Sequence, residues 1–272
     1  MRSSRTICFC ILLAAAVDPA IAAGCWFAPQ GEGRVTEIID ARSFRLEDGR
    51  DVILAGIEPV TASDANTDGK TDEKPDEKIN AKANRMAALS SSAAGPAVTR
   101  RGGDDTPDRY GRQPAFVFLD SSETSLQAEL LAQGAALVAA TVTDKECAAA
   151  LAAAEAAARA AKQGIWAYPT VIKNTESPGD ILAGIGRFTL VEGKVLSVRQ
   201  AGATTYLNFG RNWTRDFAVT IPKRMIPVFE GAGIMLKSLE NRRIRVRGWI
   251  ESHGGPRIEA LRVGQIELLG EN

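Results

Sequence analysis

The spacing of apolar and polar positions changes several times along the chain. Residues 33–40 alternate, as do residues 43–46. Residues 47–50 (Glu-Asp-Gly-Arg) then carry the Asp-Gly signal of a tight turn before a return run at 51–57, so the pattern predicts a β-hairpin. Residues 61–78 form a polar insertion with no apolar period and without the ligand spacing of a calcium loop, so a solvated loop is expected. Helical spacing is predicted over 79–91. A strand is predicted at 115–119, a helix at 125–133 closed by Gly134, and an alanine-rich helix at 144–162 ended by Gly164.

Beyond residue 186 the chain reads mainly as strand, at 187–198, 204–209, 215–221, 242–250 and 257–268. A helical stretch at 222–233 falls after the third run. Five strands with a helix between the third and fourth is the layout of an OB-type barrel, which other small Greek-key barrels share.

The first 22 residues have a different character. Arg2 and Arg5 precede an apolar run at 7–17, and Ala20, Ile21 and Ala22 supply a small-residue cleavage site, which is the pattern of a secretory signal. The run is shorter than the roughly 20 apolar residues a membrane-spanning helix needs, and Asp18-Pro19 interrupts it. The expected location is therefore periplasmic or secreted, with no transmembrane helix in the mature chain. Cleavage would leave two cysteines, Cys25 and Cys147, which in an oxidising compartment most simply pair with each other. The alternative is a lipoprotein acylated at Cys25, since residues 22–25 (Ala-Ala-Gly-Cys) loosely follow a lipobox.

Charge divides what remains. Residues 23–186 carry 17 basic and 24 acidic side chains, whereas residues 187–272 carry 14 basic and 8 acidic ones. Residues 169–186 contain linker punctuation, giving domains at 23–168 and 187–272. The whole chain has formal net charge +0, which argues against a polyanion binder working through bulk charge. A single histidine, His253, argues against a histidine-rich metal site or a histidine-based triad.

The most informative stretch is Asp108-Arg-Tyr-Gly-Arg112 followed by the strand 115–119. It resembles the D-K/R-Y-G-R motif of staphylococcal-nuclease-like (thermonuclease) domains. Residues 39–46 are similar to that family's I-D-G-D-T hairpin, and residues 54–59 to its L-x-G-I-D-x-P segment. Residues 126–134 and 154–166 are similar to its last two helices. The resemblance covers about 33–167. It implies an α+β fold that is mainly β: a five-stranded OB-type barrel with three helices, here followed by a second OB-like barrel.

In active members, as the resemblance implies, a calcium ion held by two aspartates bridges the scissile phosphate, two arginines offset the growing charge and a glutamate positions water. That division of labour suits phosphodiester hydrolysis. Carried over residue by residue, Arg112 retains one arginine position and Asp40 the first aspartate of the hairpin. Arg42 stands where a metal-binding aspartate belongs, and Glu58 stands at the second metal aspartate. Ile53 occupies the other arginine position and Val60 the place of the glutamate. Losing a positioned acid–base group costs about 10²–10⁴ in rate, and losing a charge-stabilising donor about 10²–10³. The expectation is a site without nuclease activity in which Arg42 replaces the metal as counter-charge. Arg112 either contacts phosphate or forms an ion pair with Asp108 or Glu58.

The basic half offers a second set of candidates. Tyr206, Arg211, Trp213 and Arg215 interleave aromatic and cationic side chains, and Tyr110 adds an aromatic within the first motif. Arg243, Arg245 and Arg247 alternate along one strand, opposite Ile244, Val246 and Gly248. Such a stripe could grip single-stranded nucleic acid or an anionic glycan. It could also pair with neighbouring acids such as Glu192, Glu251 and Glu259, or dock the basic half on the acidic one or on an envelope protein. The functional expectation is a noncatalytic binding module. The alternative is a weak calcium-dependent or metal-independent nuclease acting through Arg112.

Overall fold

In a computed structural model, the structure describes residues 25, 27–60, 95–102, 106–119 and 122–270. The signal segment 1–22, the insertion 61–78 and the helix expected at 79–91 lie outside the described residues. The fold is mixed α+β with strands predominating.

The expected hairpin forms. Strand β1 (Ala28–Asp40) pairs antiparallel with β2 (Ser43–Leu46), and β2 with β3 (Asp51–Leu54). Gly49, at φ 83°, makes the turn between β2 and β3, a conformation that favours glycine. The return run is shorter than expected. It breaks at Ala55-Gly56, and Ile57–Pro59 forms a separate strand, β4. Strands β5 (Ala97–Gly102) and β6 (Arg112–Leu119) complete a closed barrel of order β1-β2-β3-β6-β5, with β3 and β6 parallel.

Strand β5 was not predicted, because one of its inward positions holds Arg100. That side chain is fully buried, and its Nη2 donates to the Gln30 carbonyl at 2.9 Å.

Two helices follow. In α1 (Leu126–Ala132) the Ser125 hydroxyl accepts from the Ala128 amide and so caps the N-terminus. Strand β7 (Ala136–Val138) then pairs with β4. In α2 (Lys145–Ala160) Asp144 caps by accepting from the Cys147 amide at 2.8 Å. Its buried stripe is Cys147, Leu151, Glu155 and Ala158, the spacing of one helical face. Cys147 forms a disulfide with Cys25, tying the start of the described chain to this helix.

The linker expected at 169–186 is structured instead. Strand β8 (Ile172–Asn174) runs parallel to β9 (Phe188–Lys194), and the short helix α3 (Pro178–Leu182) sinks Ile181 into the second core. The five strands predicted beyond residue 186 appear in shorter pieces. The first breaks into β9 and β10 (Ser197–Ala201) around the buried Val195, and β11 (Thr204–Asn208) and β12 (Ala218–Pro222) follow. Helix α4 (Ile226–Gly231) precedes β13 (Arg243–Trp249), β14 (Glu251–His253), β15 (Gly255–Glu259) and β16 (Ile266–Leu268).

These segments make two sheets, β10-β11-β12-β15-β14 and β16-β13-β9-β8, rather than the single five-stranded closed sheet expected. With β9/β10 and β13/β14 taken as halves of bent strands, the pairings nevertheless follow the cyclic order of the first barrel, including a parallel pair, β12 with β15.

The two halves share an apolar seam. Val60, Leu137, Ala158, Ile165 and Trp166 from the first pack with Val171 and Leu190 from the second. At its edge Arg247 of β13 donates to Glu155 of α2 and to the Val138 carbonyl, at 2.6 and 2.9 Å.

Candidate functional site

The turn between β1 and β2 and the start of β4 converge on a cleft of about 470 Å³, lined among others by Phe27, Arg42, Ile53, Glu58, Asp108 and Asp144. The tight β1–β2 turn fixes Arg42. Its amide donates to Asp40 Oδ1 at 2.8 Å, and its carbonyl accepts from the Leu54 amide at 2.8 Å. The guanidinium Nη1 then lies 2.5 Å from Glu58 Oε1. Burial raises the Glu58 carboxyl above its ordinary value, against the pull of Arg42 first and Arg112 second.

Arg112 opens β6 after the turn at Gly111, which sits at φ 78°. Its Nε and Nη2 both donate to Asp108 Oδ2, at 3.0 and 2.8 Å, and its amide donates to Asp108 Oδ1 at 3.0 Å. Of the two roles expected for Arg112, this geometry supplies the ion pair with Asp108. Burial would raise Asp108, but the hydrogen bonds from Arg112 and the Tyr110 amide outweigh it and hold the carboxyl below its usual range. Tyr110 is 65% exposed, with the guanidinium carbons of Arg109 and Arg112 at 4.8 and 5.1 Å from its ring centroid.

The donor set does not fit a calcium ion. A hard divalent cation takes six or more oxygen ligands, whereas Glu58 is committed to a guanidinium and Arg42 brings positive charge to the place of a ligand. Among the described residues no three acidic, histidine or cysteine side chains form a group able to hold a metal.

The two residues read as lost machinery part company. Ile53 lines the cleft, in register with Ser43 and Pro114, and brings an apolar side chain to it. Val60 does not. It is buried in the seam between the halves, packed with Leu137 and Trp166, so the correspondence of Val60 with a water-positioning glutamate is corrected. The acids at the cleft are engaged elsewhere: Asp108 by Arg112, Glu58 by Arg42, and Asp144 as the cap of α2. Asp144 was missed as a cleft residue, because in the sequence its only signal was that of a helix start.

The arginine stripe of β13 also needs correction as a binding surface. Arg243 and Arg245 both bond Glu192 at 3.0 Å, and Arg245 also bonds Glu267 at 2.9 Å. The side chains of Arg245 and Arg247 are only 12% and 9% exposed. These cations neutralise acids of their own chain. The other basic candidates stand apart from them: Arg211, Trp213 and Arg215 are exposed in the loop between β11 and β12, with Trp213 at 77%.

A search of curated proteins returned no match to the chain. Residues 66–168 match the model of the staphylococcal nuclease homologue family, a span that takes in Tyr110, Arg112, β6, both helices and β7, and begins after the β1–β2 turn that carries Arg42 and after β4, which carries Glu58. The chain carries a staphylococcal nuclease homologue domain over those residues.

Proposed function

We propose that this chain is an exported, noncatalytic binding module that keeps the nuclease-family scaffold without its hydrolytic chemistry. The observation that carries the reading is the Arg42–Glu58 ion pair, which sets a guanidinium against the carboxylate that the resemblance reads as a metal ligand. Phosphodiester cleavage needs charge stabilisation at the phosphate and a group that orients water. Ile53 offers the first no donor, and the cleft carboxylates Glu58, Asp108 and Asp144 already hold other partners. Export is supported by the N-terminal signal pattern and by the Cys25–Cys147 disulfide, which suits an oxidising compartment.

The test is to incubate the chain with single-stranded DNA and with RNA, in calcium or in chelator, beside Arg112→Ala. Intact substrate in every lane is expected. Calcium-dependent cleavage that disappears in Arg112→Ala would establish the nuclease reading instead.

A further inference from the structure

The outer face of the sheet β10-β11-β12-β15-β14 is a surface that the cleft does not use. The row Val198, Leu207, Val219 and Ile258 is buried, each residue in register with the next. Side chains alternate along a strand, so the adjacent rows project from the opposite face. One runs Arg199, Tyr206, Thr220, Glu259, with Thr220 buried and Tyr206 half-buried between the exposed Arg199 and Glu259, and the other runs Ser197, Asn208, Ala218, Arg257.

The loop between β11 and β12 lies over the end of this same face. Gly255 alternates onto the side of Arg257, and a β-carbon there would stand 2.6 Å from the Asp216 carbonyl oxygen. The loop is ordered by its own bonds. Asn212 Oδ1 accepts from the Thr214 amide and hydroxyl at 3.1 and 2.6 Å, Asp216 Oδ2 accepts from the Asn212 amide at 2.8 Å, and the Asn212 carbonyl accepts from the Asp216 amide at 2.7 Å. Trp213 therefore stands on a preformed support, beside the β14–β15 turn, where a β-carbon on Gly254 would lie 3.7 Å from its Cζ3.

We infer that this face binds single-stranded nucleic acid, with Trp213 and Tyr206 stacking bases and Arg199, Arg211 and Arg215 meeting phosphates. The inference rests on the reading of the chain as a binding module and deepens it. Charge complementarity favours this occupant. Among the described residues Arg199 and Arg211 enter no salt bridge, and Arg215, which pairs with the neighbouring Asp216 at 3.3 Å, keeps 72% of its side chain exposed, whereas Arg245 and Arg247 of β13 are paired and buried. Tyr206 stands between Arg199 and Thr220 across the strands and Thr204 and Asn208 along its own, with Ala218 and Pro222 as diagonal apolar neighbours, a mostly polar setting that suits base edges and sugars better than a protein's apolar anchor. Bases must be unstacked to reach the rings, which selects a single strand over a duplex. A loop ordered beforehand also loses little freedom on binding.

The test is fluorescence anisotropy of a short fluorescein-labelled oligothymidylate titrated with the full chain across a salt series, with a denaturing gel of the same samples. Binding is expected, weakened at least about fivefold by Trp213→Ala, since stacking on one aromatic accounts for that much or more. The double variant Arg199→Ala/Arg211→Ala should flatten the slope of log affinity against log salt by about 1.4, two single-strand phosphate contacts at about 0.7 each. Arg243→Ala should change neither. Circular dichroism checks that the variants, altered at exposed positions, remain folded. Absence of binding, or binding unaffected by Trp213→Ala, overturns the inference. So does equal competition by dextran sulfate, which would mark a site for polyanions at large. A cleaved oligonucleotide would defeat the noncatalytic reading and leave this surface standing, whereas an intact and unbound one would defeat the surface alone.

Discussion

Arg247 Nη1 lies 2.6 Å from Glu155 Oε2 across the boundary between the two halves, with both side chains less than a tenth exposed. The pair is also bonded to the backbone. Glu155 Oε2 accepts from the Val138 amide at 3.0 Å, and Arg247 donates to the Val138 carbonyl. Removing one member of such a pair strands the other as a buried charge, which costs about 3–5 kcal/mol, whereas replacing both by apolar groups of similar size is often close to neutral. Arg247→Ala should therefore lower the denaturation midpoint sharply, and Arg247→Met/Glu155→Leu should recover most of the loss. Guanidinium chloride melts of the three proteins check this, and a double variant weaker than Arg247→Ala would refute it.

A second prediction concerns the cleft. If Arg42 takes the place of a cation, the parent chain should give no heat with calcium at micromolar concentration. Arg42→Asp, which groups a new carboxylate with Asp40 and Glu58, should acquire measurable binding of calcium. Isothermal calorimetry decides it; micromolar binding by the parent would show that the guanidinium excludes nothing.

Glu58 supplies a pH signature. Its carboxyl titrates above the ordinary value because burial disfavours its charge. The folded state then holds the proton more tightly than the unfolded one. This contribution to stability is fully present below the unfolded value of about 4.5 and is lost as pH rises through the higher folded value. Arg42 opposes the shift, so Arg42→Ala should move the titration further up. Carbon-detected NMR of the Glu58 carboxyl reads both positions, and a downward move in the variant would contradict the ion pair.

The disulfide makes a fourth case. Cys25 and Cys147 are separated by 122 residues, and closing a loop of that size removes unfolded-state entropy equivalent to about 3–5 kcal/mol. Cys147 is fully buried, so Cys25→Ser/Cys147→Ser leaves a hydroxyl within the core as well. Its denaturation midpoint should fall by at least the amount seen when the parent is melted with reductant. Equal midpoints with and without reductant would mean that the bond does not constrain the unfolded chain.

Much of the first barrel was legible because local signals agreed with the fold. Asp48-Gly49 marks the β2–β3 turn, Ser125 and Asp144 cap their helices, and the buried stripe of α2 follows helical spacing. The failures arise where distant partners decide. Strand β5 hides behind Arg100, a cation facing inward, which a pattern of apolar alternation cannot register. Val60 resembles a replaced site residue when aligned by sequence, yet it belongs to the seam, where it packs with Leu137 of β7, the partner strand of β4. The β13 arginines form an alternating stripe in any reading; only the positions of Glu155, Glu192 and Glu267 reveal that they are occupied. In the cleft, Arg42 and Glu58 could be named from the chain, but their contact depends on how the hairpin meets β4.

The seam at Val60, Leu137 and Trp166 carries one more consequence. A fragment cut at residue 168, where the family match stops, would present to water a greasy strip and a Glu155 carboxylate deprived of Arg247, left with Arg159 and the Val138 amide. Such a piece invites clumping or loosening rather than tidy independent behaviour. The recognisable module thus leans on its neighbour for part of its core, and the two stretches behave as one folding unit.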